Sequence, residues 1–81
     1  MDLSKLTAAV VAAARRHRNA VRDWQAADDH LDSLRGPKTP AEKRAWAAAN
    51  RAERRADDAM WAAERALFRA VDRLDKAQGL A

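Results

Sequence analysis

The sequence predicts an all-α fold, an antiparallel two-helix coiled-coil hairpin expected to dimerise into a four-helix bundle. Apolar residues step by three and four along two long segments, which is the period of a helix buried on one stripe. Both prolines and one of the two glycines fall in a single short stretch between those segments. The third observation is one of bulk. Of the 39 apolar residues 22 are alanine, leaving seven Leu, four Val, three Trp, two Met and one Phe. Seventeen large apolar side chains are too few for a compact globule of 81 residues, whereas long helices packed side by side need fewer. One domain over residues 1–81 is expected, with helix 1 at about 3–35, the turn at 36–39 and helix 2 at about 40–78.

In the first helix the core steps are Leu3, Leu6, Val10, Ala13, His17, Ala20, Trp24, Ala27, Leu31 and Leu34. Asp2 or Ser4 caps its start. Gly36 suits the position just past a helix end, and Pro37 stops further winding. Thr39, Pro40 and Glu42 then spell an N-cap, a first-turn proline and the acidic third residue of a capping box. The second helix continues with Trp46, Ala49, Glu53, Ala56, Met60, Ala63, Leu67, Ala70, Leu74 and Ala77, flanked by Ala45, Ala52, Ala59 and Ala66. Alanine in every heptad lets the two backbones approach closely. Lys76 and Gly79 suit a helix C-terminus. A short connection makes the neighbours antiparallel, in a rod roughly 45–55 Å long at 1.5 Å per residue.

A second apolar stripe is left over. Trp61, Phe68 and Val71 lie beside Met60, Leu67 and Leu74, and the antiparallel stretch adds Val11, Ala14 and Val21. One neighbouring helix covers only one stripe, so Trp61, Phe68, Val71, Met60 and Val11 are the expected protein interface, with a second copy of the chain as the first partner. Trp24 and Trp46 are read as core, stacked near the turn end. His17 and Glu53 are the polar intrusions in the seam, expected to set register and within reach of a His–Glu hydrogen bond.

Catalysis is not expected. There is no glycine-rich phosphate loop, and Ser4 and Ser33 lack triad partners at a suggestive spacing. Asp28, Asp29, His30 and Asp32, with Asp57 and Asp58 on the other helix, read as a solvated charged face rather than a metal site. No cysteine is present, which excludes disulfides and thiolate ligands, and no cofactor is expected. No stretch approaches the roughly 18 apolar residues of a membrane span, no secretory signal is read at the start, and a cytoplasmic protein without membrane contact is expected.

The net charge of +4 comes from 12 Arg and four Lys against 12 acids. Arg15, Arg16, Arg18 and Arg22, with Arg51, Arg54 and Arg55 returning near them, form the candidate contact for nucleic acid or an acidic partner. Intervening aspartates, pairs such as Arg54 with Asp58 and the lack of a recognisable reading motif favour a charged surface with intrahelical ion pairs. The expected function is a non-catalytic interaction module presenting a rigid surface to a protein partner, with a nucleic-acid-binding helical protein as the alternative. The Ala, Arg and Asp bias matches GC-rich coding, as in some bacteria and their phages, where an inhibitor or adaptor of host machinery is one setting. No family is recognised. The small helical-hairpin substrates of type VII secretion carry Trp-x-Gly in their turn, whereas here it reads Arg35-Gly36-Pro37-Lys38.

Overall fold

A computed structural model of the chain describes residues 2–79. Two helices make up nearly all of it: α1 (Leu3–Ser33) and α2 (Pro40–Ala77), packed against each other in a rod of 60 × 16 × 13 Å. The described residues contain no strand. The all-α helical hairpin read from the periodicity is therefore the fold.

The ends are set locally. At the start of α1 the Asp2 carboxylate accepts from the Ser4 backbone N–H at 2.9 Å and from the Ser4 hydroxyl at 2.7 Å, so Asp2 is the cap and Ser4 its donor. Those bonds hold the Asp2 carboxyl below its ordinary range. α1 stops at Ser33, two residues before the expected end, because Leu34 leaves helical geometry and Gly36 takes a left-handed φ of 69° that a side chain would resist. In α2 the Glu42 backbone N–H donates to the Thr39 hydroxyl at 3.1 Å, and the Thr39 N–H donates to the Glu42 carboxylate at 3.2 Å. The capping box and Pro40 at the first position stand as the sequence predicts. α2 ends at Ala77, one residue early, followed by Gly79 at φ 75°.

Packing follows the seam, with a bias. The buried hydrophobic residues among those described are Ala13, Ala49, Ala63 and Ala70. All occupy one of the two alternating core positions. The other core position carries the larger residues Val10, Trp24, Leu31, Met60, Leu67 and Leu74, and each is half-buried. The core is thus an alanine contact line with larger side chains covering one side of it.

Candidate protein-interaction surface

Register can be read from facing residues. The Trp24 indole N–H donates to the Glu53 carboxylate across the helices at 2.9 Å. Ala20 shares a groove with Ala63, Ala13 one with Ala70, and Leu6 a hollow with Arg73 and Ala77. Phe68 is therefore roughly level with Val11, and Trp61 with Arg18.

This register corrects the pairing expected for the seam. Glu53 is held by Trp24, and His17, half-buried about two turns further along, has no hydrogen-bond partner among the described residues. Seven residues of helix are about 10 Å, beyond the reach of a His–Glu bond. The indole offers the carboxylate a donor at the same level, a pairing that the charge pattern of the sequence does not signal. Trp46 is also not core. It is 38% exposed, and by this register sits about 12 Å along the axis from Trp24, too far to stack.

In an antiparallel pair, corresponding outer heptad positions of the two helices share one flank. Val11, Ala14, Arg18 and Val21 of α1 and Asp57, Trp61, Glu64, Phe68, Val71 and Asp75 of α2 therefore fall on the same side. Trp61 is 50% exposed, Phe68 63%, Val11 44% and Val71 36%. Half-buried Met60, Leu67 and Leu74 continue that surface inward to the alanine line. On α1 a shallow hollow opens between Val10, Val11, Ala14, Arg15 and Arg18. The interface residues read from the sequence thus stand together on one flank, toward the end carrying both termini.

The charges sort differently from the expectation. Arg15, Arg22 and Arg51 occupy outermost positions on opposite backs of the rod, Arg18 and Arg54 the apolar flank, Arg16 and Arg55 the other one. All seven are exposed, and they form no single face. The opposite flank holds a cluster the sequence reading missed. Arg16, Arg69 and Arg73 rim a groove floored by Ala9, Ala12, Ala13, Ala66 and Ala70. Arg69 and Arg73 are four apart on α2, but their meeting with Arg16 depends on interhelical register. The expected ion-pair lacing is sparse. Among the described residues only Arg35–Asp32 at 2.7 Å and Lys76–Asp72 at 3.0 Å are ion pairs, both exposed, and Arg54 and Asp58 do not pair. Asp57 and Glu64, half-buried beside Trp61, have none.

No group of three His, Cys, Asp or Glu among the described residues is arranged to hold a metal ion, and Asp28, Asp29, His30, Asp32 and Asp58 lie exposed. No described helix is long and apolar enough to cross a membrane. Fold and surface together define an all-α helical hairpin with one apolar flank and one basic, alanine-floored flank. Comparison with protein-family models, curated proteins and solved structures finds no match.

Proposed function

We propose that this hairpin is a non-catalytic protein-interaction module that self-associates through its apolar flank and offers a rigid charged surface to a protein partner. The supporting observation is the inversion of the usual burial order. Among the described residues the buried ones are four alanines, while Trp61 and Phe68 stand half or more in water. Each of the two aromatics leaves on the order of 100 Å² exposed, worth ~2.5 kcal/mol at ~25 cal/mol per Å² once covered. A second hairpin laid on this flank completes a four-helix bundle and supplies the core that the alanine line lacks. The flank rimmed by Arg16, Arg69 and Arg73 then remains free, and its charge suits an acidic protein surface. Any phage inhibitor or host-adaptor role would act through that flank.

Sedimentation equilibrium over a wide concentration range, with far-UV circular dichroism on the same samples, tests this reading. A dimer that loses helix as it dissociates is the expected result. A folded monomer at every concentration overturns self-association. Retention of DNA or RNA at about 50 mM salt, falling steeply as salt rises, would favour the nucleic-acid alternative.

A further inference from the structure

We infer that the dimer is parallel: the two-fold axis runs along the rod, both turns lie at one end, and α1 of each hairpin rests on α2 of the other. The inference rests on the self-association proposed above and fixes its geometry. When the apolar flanks meet face to face, there are two limiting two-fold arrangements. An axis along the rod lays α1 on the partner's α2 at the same level. An axis across the rod lays α1 on α1 and α2 on α2, running in opposite directions.

Charge separates the two. On the flank positions of α2 between residues 57 and 75 the charges are Asp57, Glu64 and Asp75, all acidic and half-buried. On the corresponding positions of α1 between residues 4 and 22 the one charge is Arg18, with Arg15 and Arg22 on the outer edge behind it. Arg65 is the one base behind Trp61 on α2. The crosswise arrangement brings three acids against three acids, with Arg54 of each copy only at the edge of the overlap. The parallel arrangement brings Arg18 to the level of the partner's Trp61 and Glu64, where it meets an indole face and a carboxylate that has no ion pair among the described residues of its own chain.

Shape agrees with charge. The hollow between Val10, Val11, Ala14, Arg15 and Arg18 is on α1 at the level of Phe68. In the parallel arrangement it faces the partner's Phe68, the most exposed large apolar residue described, so knob and hole meet twice across the axis. Crosswise, the hollow faces its own copy. Extent agrees as well. Parallel hairpins overlap along the full 60 Å rod, about 900 Å² of flank per protomer, close to the ~800 Å² per partner of a stable interface. Matched on a patch centred about 20 Å from the terminal end, crosswise hairpins overlap over only about two thirds of that length.

The chain has no cysteine, so a single Lys38→Cys substitution in the exposed turn accepts one spin label per protomer. Pulsed dipolar spectroscopy is expected to read a label separation under about 30 Å, the width of two packed hairpins. A separation beyond about 60 Å, as turns at opposite ends require, overturns the parallel geometry and leaves self-association standing. A monomer in the same sample overturns the self-association on which the inference rests. Charge reversal gives a second readout. Arg18→Glu and Glu64→Lys each weaken the parallel dimer, by about tenfold or more for a partly buried like-charge contact, and the double variant recovers it. Single variants that leave association unchanged count against the parallel pairing.

Discussion

Replacing Phe68 by alanine separates the contribution of the apolar flank to assembly from its contribution to the hairpin. Phe68 is 63% exposed in the single chain, so it touches little within its own hairpin, and its loss leaves the helices of one protomer nearly as stable as before. In a two-fold dimer the same substitution acts twice. Each copy forfeits most of the ~100 Å² it would bury, ~2 kcal/mol at ~25 cal/mol per Å² after allowing for the retained Cβ. The pair loses ~4 kcal/mol, and since 1.4 kcal/mol is tenfold in affinity, Kd rises by about a thousandfold. Incomplete coverage at the rim lowers that to about a hundredfold at the least. Sedimentation equilibrium of native and Phe68→Ala chains measures the ratio, and circular dichroism at matched subunit concentrations reports whether helix loss tracks dissociation. An unchanged Kd for Phe68→Ala in a chain that does dimerise refutes the argument, because the most exposed large apolar residue described would then lie outside the interface.

Three further outcomes follow from the fold. Ala63→Leu forces three extra carbons into a buried seam position and should destabilise the hairpin by ~1–3 kcal/mol in urea melts, whereas the same change at exposed Ala62 should be nearly silent. Thr39→Ala removes the hydroxyl that accepts from the Glu42 N–H and should cost ~1 kcal/mol, with amide exchange rising first at the start of α2. The Asp2 carboxyl titrates below its ordinary range because the Ser4 hydroxyl and then the Ser4 backbone N–H donate to its charged form. Its support for the α1 start is thus fully present above the unfolded-state pKa and is lost as pH falls through the lowered folded value. A 13C titration of the carboxyl should show the lowered midpoint, and Asp2→Asn should abolish the acid-dependent fraying of the first turn.

Elements were legible in the sequence to within two residues because the signals that set them are local. Gly36, Pro37, Thr39, Pro40 and Glu42 each act on backbone a few positions away, and the three-four spacing of Leu6, Val10, Ala13 and their successors depends on one helix at a time. What was misread depended on two helices together. The Trp24–Glu53 bond, the exposure of Trp46 and the convergence of Arg16 with Arg69 and Arg73 all follow from axial register, which alanine-lined seams leave weakly encoded in side-chain pattern. The leftover apolar stripe was readable because it needs only the width of the apolar arc on α2 and the antiparallel return of Val11 and Val21 on α1.

The alanine line also bears on how folding and assembly are coupled. Close approach of two backbones through Ala13, Ala49, Ala63 and Ala70 fixes the distance and alignment of the helices, but methyl groups remove little apolar area from water. The larger residues that could stabilise the pair lean to one side, where a single neighbouring helix leaves them half covered. A lone hairpin therefore has its geometry specified and much of its hydrophobic stabilisation unrealised. The proposed association would supply that missing part and would link helix content to subunit concentration by mass action. In the proposed bundle the basic groove flank stays outside. Its arginines would repel a copy of themselves, and on the proposed reading that charge suits a partner of opposite sign.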